Sequence, residues 1–325
     1  MTAVVQTTYG PAPEGVLTVQ QVPRPSIGDG DVLVQVRAAS VDRGTWHVMA
    51  GLPYPIRLAG FGVRRPKYAN PGRSLAGVVE AVGTGVTGLR PGDEVYGVGE
   101  ASFAGYARAR AGKLAPRPAN LSFEQAAAVP ISGLTALQAV RDHARVRAGE
   151  RVLVIGASGG VGSFALQIAK ASGAEVTGTA GTAKVDLVGA LGADVVVDHT
   201  REDVLAEDHR YDVILDTGGN RRLSDLRRAL TREGRLVIVG GENGGRWLGG
   251  TQRQLRAQVF SPFVRQQLGT FVASENADDL RALTELVEAG LVTPAVDRAY
   301  PLGETAAAIR HLIDGHARGK VVITV

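Results

Sequence analysis

The chain of 325 residues contains no cysteine. This absence excludes disulfides, a thiol nucleophile and any site in which cysteine binds zinc or an iron–sulfur cluster. The basic residues form no long run, and the net charge of +4 is spread over the whole chain. We therefore expect no nucleic-acid partner. The six histidines lack the H-E-x-x-H spacing of a zinc-binding helix, so we expect no metal site.

A membrane segment is not expected either. The one uncharged stretch of membrane length, residues 152–169, contains four glycines and two serines and begins as a β-rich run. The N-terminal sequence MTAVVQ lacks the basic and apolar regions of a signal peptide. We therefore expect a cytoplasmic protein with no membrane partner.

Short strands and turns fill the first 120 residues. Apolar and polar residues alternate in DVLVQVR at 31–37 and in GVVEAV at 77–82, and glycine- or proline-containing turns follow closely. Such spacing predicts a small, mostly antiparallel β domain.

The pattern changes at Ser122, where SFEQ at 122–125 has the form of a capping box. We expect that helix to break at Pro130 and a second helix to run from 132 to about 143. Buried strands then alternate with helices, which indicates a parallel sheet covered on both faces. The predicted strands are 152–155, 175–179, 195–197, 213–215 and 236–239, with a sixth at 268–272; the predicted helices are 160–172, 182–191, 277–289 and 304–314. A last strand at 320–325 is expected to return to the first domain.

The most informative segment is GASGGVG at 156–162, between a predicted strand and a predicted helix. A glycine at 159 allows the backbone to approach a diphosphate, and a glycine at 162 allows the helix to pack closely on the strand. The phosphates would bind the free N–H groups at the helix N-terminus. We therefore predict a dinucleotide site that includes Ser158, Gly159, Gly160, Val161 and Gly162.

The end of the second strand suggests which dinucleotide is bound. No carboxylate follows Thr179 there, and Glu175 lies at the start of the strand. An acid at this end would bind the ribose hydroxyl of NAD, whereas Lys184 and the hydroxyl of Thr182 are suited to a 2′-phosphate. We therefore predict NADP(H) as the cofactor, although Lys184 as a solvated lysine is the alternative.

The same turn also matches G-x-S-x-G, the nucleophile elbow of an α/β-hydrolase. Ser158 would then be the nucleophile, with Asp216 and His311 following in the required order. The chain has no obvious oxyanion segment of the His-Gly-Gly-Gly type. The hydrolase stays open as an alternative at this point.

Six segments together resemble the zinc-free branch of the medium-chain dehydrogenase/reductase superfamily, close to the quinone oxidoreductases. They are 39–47, 71–83, 90–96, 127–136, 157–162 and 191–194, and the resemblance covers nearly the whole chain. It implies an α/β protein with two domains. One is a GroES-like, mostly antiparallel β domain of residues 1–121 with about 274–325; the other is a Rossmann domain with a doubly wound parallel sheet, about 122–273. It also implies an active site between the domains and a homodimer.

Departures from the family pattern sharpen these expectations. Zinc-dependent relatives have a cysteine early in the chain and Gly-His-Glu where this chain has Gly72-Arg-Ser74. The resemblance therefore implies a reductase without zinc. Asp42 stands where relatives often have asparagine, Gly181 where serine is common, and His199 where a tyrosine flanks the adenosine.

The resemblance also implies site residues. Thr135 is expected near the nicotinamide, and the residues expected to line the rest of the cofactor groove are Thr179, Gly181, His199, Gly218, Gly240 and Gly241. Reduction of a quinone or an enone creates an oxyanion that needs a hydrogen-bond donor and a proton. Our predicted catalytic pair is Asp42 and Tyr54. The predicted function is NADPH-dependent reduction of a small quinone or α,β-unsaturated carbonyl, and a silent NADPH-binding sensor is the alternative.

Overall fold

The computed structural model describes residues 1–206, 211–219, 221–240 and 245–325. Its strands are β1 (Thr2–Gln6), β2 (Leu17–Gln21), β3 (Asp31–Val41), β4 (Ser74–Val82), β5 (Glu94–Val98), β6 (Tyr106–Arg110), β7 (Leu114–Pro116), β8 (Arg151–Ile155), β9 (Glu175–Ala180), β10 (Val195–Asp198), β11 (Tyr211–Asp216), β12 (Leu230–Ile238), β13 (Gln267–Thr270), β14 (Val296–Pro301) and β15 (Lys320–Thr324). Its α-helices are α1 (Arg43–Ala50), α2 (Phe123–Ala128), α3 (Pro130–Gln138), α4 (Gly160–Ala171), α5 (Val185–Ala190), α6 (Leu223–Ala229), α7 (Gly245–Leu248), α8 (Thr251–Phe260), α9 (Ala277–Glu288) and α10 (Thr305–Ile313).

The chain divides into two units. The first comprises Met1–Leu134, Glu275–Ala289 and Pro294–Val325, and the second comprises Thr135–Ser274 and Gly290–Thr293. The predicted boundary after residue 121 differs from this division because α2 packs on β3 and β4 of the first unit. The predicted capping box begins α2, since the Ser122 hydroxyl accepts a hydrogen bond from the Gln125 N–H at 3.3 Å.

The first unit is built on a mostly antiparallel sheet, as predicted. Its strand order is β14-β15-β3-β4-β5-β7, with β6 paired to β3, and β1 and β2 form a separate hairpin. Within β3, Val32, Val34 and Val36 are buried, which is the alternation the sequence predicts. Strand β15 lies between β14 and β3, so the predicted return of the chain to this unit is confirmed.

The second unit is a doubly wound parallel sheet. Its strand order is β10-β9-β8-β11-β12-β13, and every pair is parallel. Counted from β8, this is the order 3-2-1-4-5-6 of the Rossmann fold, in which the chain direction across the sheet reverses between β8 and β11. Ligands of such sheets bind beyond the carboxyl ends of the strands at this reversal. The predicted fold class is confirmed.

Two local details of the fold differ from the predictions. The second helix begins at Pro130 rather than 132, because a proline is tolerated in the first turn of a helix, and continues as a π-helical turn over residues 139–144.

Within the described part of the chain, no helix has the length and apolar character needed to cross a membrane.

Candidate cofactor and active site

The predicted glycine-rich turn joins β8 to α4. Gly156 has a φ of 79°, a conformation that favours glycine, and its N–H donates to Thr179 Oγ1 at 3.2 Å. The next N–H, of Ala157, donates to the Thr179 carbonyl at 3.0 Å. Thr179 is almost fully buried, so the neighbouring strand β9 fixes the start of the turn.

The helix packs on this turn as closely as the backbone allows. A Cβ on Gly162 would lie 2.1 Å from the carbonyl oxygen of Gly156, which no side chain tolerates. The predicted packing role of Gly162 is therefore confirmed.

The N-terminus of α4 is open for an anion. Gly159 is the N-cap in an extended conformation, and no described side chain caps the helix. The N–H groups of Gly160, Val161 and Gly162 have no acceptor within the helix. Ser158 lies at the same turn and is nearly buried. These donors and the helix dipole together form a site for a negatively charged group.

A cavity of about 270 Å³ lies beside the turn, within the second unit. It brings three predicted residues, Thr179, His199 and Gly218, together with Gly156. Its lining also includes Arg221, which the sequence analysis did not identify and which pairs with Asp203 at 2.8 Å. The remaining lining residues are Ile155 and Val204.

The predicted phosphate-binding segment forms a 3₁₀ turn at Thr182–Lys184, between β9 and α5. A Cβ on Gly181 would lie 3.8 Å from His199 Nε2 and 3.8 Å from Thr200 Cγ2, so this segment lies directly beside His199. Lys184 is partly exposed, and its N–H donates to the Gly181 carbonyl at 2.8 Å.

A carboxylate does lie at this end of the sheet, on the strand next to β9, although none follows β9 itself. Strand β10 pairs with β9 in a register that places Asp198 beside Ala180. Thr182 Oγ1 donates to Asp198 Oδ2 at 2.6 Å, and Thr200 Oγ1 donates to Asp198 Oδ1 at 2.7 Å. These hydrogen bonds lower the pKa of Asp198 to about 2, so the group is an anion at neutral pH. The prediction considered the end of β9 and not the strand beside it.

The loops after β11 and β12 contain the other predicted glycines. A Cβ on Gly240 would lie 2.7 Å from the Thr217 carbonyl oxygen, so these two loops approach closely. Asp216 accepts a hydrogen bond from the Gly219 N–H at 2.9 Å and pairs with Arg253, which orders the loop that contains Gly218. Thr135 lies in α3, partly buried, and Gly241 lies outside the described residues.

The hydrolase alternative fails on its acid and its base. Asp216, the expected acid, is fully buried and pairs with Arg253 in the second unit. His311, the expected base, lies in the first unit, where its Nε2 is 2.6 Å from Asp297 Oδ2. A triad requires the acid to orient the histidine, so Ser158 has no activating pair of this kind.

Asp42, one of the two predicted catalytic residues, belongs to a buried polar cluster in the first unit. Its carboxylate pairs with Lys320 and accepts hydrogen bonds from Ser132 Oγ at 2.8 Å and Ser74 Oγ at 3.4 Å. Lys320 is only 1% exposed and also donates to the Val41 carbonyl at 3.2 Å. The cluster ties β15 to the segment that enters α1. The sequence analysis missed Lys320, because nothing local indicates that a lysine at the start of a strand is buried.

Tyr54, the other predicted catalytic residue, lies after α1 and is partly buried. The Arg57 guanidinium carbon lies 4.9 Å from the centre of its ring. The first unit also contains a cavity of about 310 Å³, whose charged lining residues are Lys67, Arg73, Glu100, Arg108, Arg110 and Lys113. Neither Asp42 nor Tyr54 is among the described residues that line it.

The donor set does not fit a zinc ion. The chain has no cysteine, and no group of three histidine, aspartate or glutamate residues suited to a metal ion occurs in residues 1–206, 211–219, 221–240 and 245–325. At the Gly72-Arg-Ser74 segment, the Arg73 guanidinium donates to Glu275 Oε2 at 2.9 Å. A cation therefore stands where the resemblance places a zinc-dependent relative's histidine.

Two family models match the chain. The model described as "Alcohol dehydrogenase GroES-like domain" matches residues 28–137, and that described as "Zinc-binding dehydrogenase" matches residues 191–323.

Individual proteins match over most of the chain. It is 31% identical to the quinone oxidoreductase of Rattus norvegicus over 95% of this chain and 92% of that one. It is 35% identical to the chloroplastic NADPH-dependent alkenal/one oxidoreductase of Arabidopsis thaliana, over 78% of this chain and 63% of that one. Among solved structures, the Escherichia coli quinone oxidoreductase complexed with NADPH matches with a TM-score of 0.81 and 25% identity, over the whole of both chains.

Proposed function

Since the chain belongs to the quinone oxidoreductase family of the medium-chain dehydrogenase/reductase superfamily, we propose that it transfers a hydride from NADPH to a quinone or an α,β-unsaturated carbonyl. The observation that carries the proposal is the helix N-terminus at 159–162, which is open, uncapped by any described side chain and beside a cavity. A relative whose name specifies NADPH and alkenal/one substrates supports it.

The bound nicotinamide supplies the hydride, and the chain's own residues bind and orient the cofactor. The N–H groups of Gly160, Val161 and Gly162 bind the diphosphate. Thr179 keeps the turn in place through two hydrogen bonds. The cavity beside His199 would hold the adenosine end, and the Lys184 ammonium would attract the 2′-phosphate. In this proposal Thr135, Gly218 and Gly240 line the rest of the groove.

On the substrate side, the proposal assigns different roles to the two predicted catalytic residues. Tyr54 has a phenolic hydroxyl suited to donate a hydrogen bond to the developing enolate or hydroquinone oxygen. Asp42 already accepts from Lys320 and Ser132, so we assign it to positioning the start of α1 rather than to proton transfer. The proposal assigns no role to zinc, because the donor set among the described residues does not fit it.

The experiment is a binding measurement followed by a turnover measurement. Calorimetry with NADPH and NADH tests the cofactor site. The fall in NADPH absorbance is then followed with a benzoquinone, a naphthoquinone and methyl vinyl ketone. Binding with turnover of at least one acceptor is the expected result. Binding without turnover of any acceptor favours the sensor alternative, and no binding of either nucleotide overturns the proposal.

The same proposal includes a homodimer and a cytoplasmic location. Strand β13 is the last strand of its sheet, and the nearby α8 exposes Leu255, Val259 and Phe260. In a homodimer, the partner subunit would cover this sheet edge and this apolar face. Light scattering after size-exclusion chromatography is expected to give twice the chain mass of 33.9 kDa.

A further inference from the structure

Asp198 and two threonines form a closed set of hydrogen bonds at the carboxyl end of β10. Three short contacts join their oxygens: Thr182 to Asp198 at 2.6 Å, Thr200 to Asp198 at 2.7 Å, and Thr182 to Thr200 at 2.9 Å. The two hydroxyls have only two protons for these three contacts. The carboxylate accepts both, so neither hydroxyl has a proton left for a phosphate.

This set of hydrogen bonds lies where the proposed function places the 2′-phosphate. Thr182 begins the turn that carries Lys184, and Thr200 lies beside Gly181 and His199. A phosphate bound at the Thr182–Lys184 turn therefore meets the carboxylate to which Thr182 donates. The only cation paired with Asp198 among the described contacts is Arg201, whose Nε is 3.4 Å from Oδ2 and whose side chain is 75% exposed. An exposed partner of this kind cancels little of the carboxylate's charge.

We propose that Asp198 is a specificity-determining residue that opposes the 2′-phosphate, so that the protein discriminates only weakly between NADPH and NADH. The inference rests on the proposed function. Asp198 acts in two ways. Its charge repels the phosphate, and its oxygens accept the hydrogen bonds that the Thr182 and Thr200 hydroxyls would otherwise donate to the phosphate. Lys184 favours NADPH, and Asp198 reduces that preference.

The decisive variant is Asp198→Asn, which keeps the size of the side chain. It removes the charge, and the amide N–H groups can donate to the threonine oxygens, which frees the hydroxyl protons for a phosphate. Asp194→Asn is the matched control. It removes the same charge just before the other end of β10, where Asp194 pairs with Lys170 at 2.7 Å. Four residues of strand separate the two positions by about 13 Å.

The probes are 2′,5′-ADP and ADP, the adenosine halves with and without the 2′-phosphate, together with NADPH and NADH. We expect Asp198→Asn to tighten the dissociation constants of 2′,5′-ADP and NADPH about fivefold at low salt. Those of ADP and NADH should stay within about twofold, and the gain should shrink as salt screens the charge. Asp194→Asn should change none of the ratios.

If the role of Asp198 were purely structural, its substitution would weaken the binding of all four probes together. Equal changes in all four, or weaker binding of 2′,5′-ADP alone, overturns the inference. Asp198→Ser is a second variant if the first does not fold, and thermal melting checks both. If the wild type binds none of the probes, the proposed function fails instead, which keeps the two failures distinguishable.

Discussion

At the scale of single residues, the pair of Asp42 and Lys320 is the most consequential contact in the first unit. Both side chains are nearly fully buried, and each is the other's counter-charge. Because water solvates neither group, removing one partner leaves an isolated charge inside the protein, and that costs far more than an ordinary hydrogen bond.

We predict that Lys320→Ala lowers the free energy of unfolding of the first unit by about 3–5 kcal/mol. The double variant Asp42→Asn with Lys320→Met removes both charges and should recover most of that loss. Urea unfolding followed by circular dichroism measures the two differences. A single-variant loss below about 1 kcal/mol would show that the pair is worth no more than an exposed one.

In the proposed function, Lys184 is the residue that binds the 2′-phosphate and so favours NADPH over NADH. We predict that Lys184→Ala weakens NADPH binding by about tenfold or more, since a hydrogen bond to a charged group is worth about 1.5–3 kcal/mol. NADH has no 2′-phosphate, and its dissociation constant should barely move. Lys170→Ala, at the far end of α4, is the control lysine. Equal weakening of NADPH and NADH binding would contradict the assignment of Lys184 to the 2′-phosphate.

A substitution at Gly181 is expected to strengthen NADPH binding at the same site. A Cβ there would be in ordinary contact with His199 and Thr200 at 3.8 Å, so Gly181→Ser fits without strain. The new hydroxyl adds a donor where relatives often have serine. We predict NADPH binding tighter by about threefold to tenfold with NADH unchanged, as one added hydrogen bond allows. Calorimetry with NADPH and NADH tests this prediction, and tighter binding of both cofactors would contradict it.

At the scale of elements, the accuracy of the sequence predictions depended on how local each signal was. The turn at 156–162 and helix α4 were predicted within a residue, because strand, glycines and helix are consecutive. Strand β12 begins at Leu230 rather than 236, since its polar segment TREG carries no strand pattern and interrupts the pairing with β11 between Leu230 and Arg235. Helix α8 was not predicted, because its apolar residues are mostly exposed and so form no buried stripe.

The site shows the same dependence. The strand, turn and helix around 156–162 were predicted correctly because their pattern is contiguous. Arg221 lines the cavity and Asp198 lies beside Ala180, and both positions depend on the order of the strands in the sheet. A signal for Asp198 was present, because adjacent parallel strands end at one edge and a strand was predicted at 195–197. No pattern of this kind pointed to the burial of Lys320, which depends on β15 lying beside β3.

Two glycines in helices make a matched test of the turn. Gly162→Ala would force a Cβ to within 2.1 Å of the Gly156 carbonyl oxygen, whereas a Cβ on Gly189 in α5 would meet only Val196 Cγ2 at 3.9 Å. We predict that Gly162→Ala destabilises the second unit by about 1–3 kcal/mol and abolishes dinucleotide binding. Gly189→Ala should stabilise it by about 0.5–1 kcal/mol. Thermal melting and calorimetry check both variants, and tight dinucleotide binding by the Gly162→Ala variant would contradict the expectation.

At the scale of the whole molecule, Tyr96 links distant parts of the sequence. It lies in β5, and its hydroxyl donates to the Leu280 carbonyl of α9 at 2.6 Å, with Thr284 Oγ1 at 2.9 Å. Burial raises the pKa of Tyr96 well above its usual value near 10. The folded protein therefore keeps this proton at a pH where the unfolded chain releases it.

This difference predicts a loss of stability in alkali. Up to about pH 10 both states hold the Tyr96 proton, so this group adds no pH dependence to the stability; above that the unfolded chain binds fewer protons, so the free energy of unfolding falls as pH rises. Tyr96→Phe should cost about 1 kcal/mol at neutral pH and flatten the fall above pH 10. Urea unfolding at neutral and alkaline pH measures both. A slope unchanged by the substitution would assign the alkaline loss to other groups, of which Tyr211 in the second unit also has a raised pKa.

The position of β15 between β14 and β3 has a consequence for how the protein is made. A ribosome completes residues 135–274 well before it reaches 320–324, so the nucleotide-binding half of a nascent chain can acquire its sheet while the other half still lacks a central strand. Until β15 emerges, β3 lacks one of its pairing partners, although β3 was synthesised early. A premature stop codon even a few positions before 320 would therefore leave the earliest part of the polypeptide as the part that chaperones and proteases encounter.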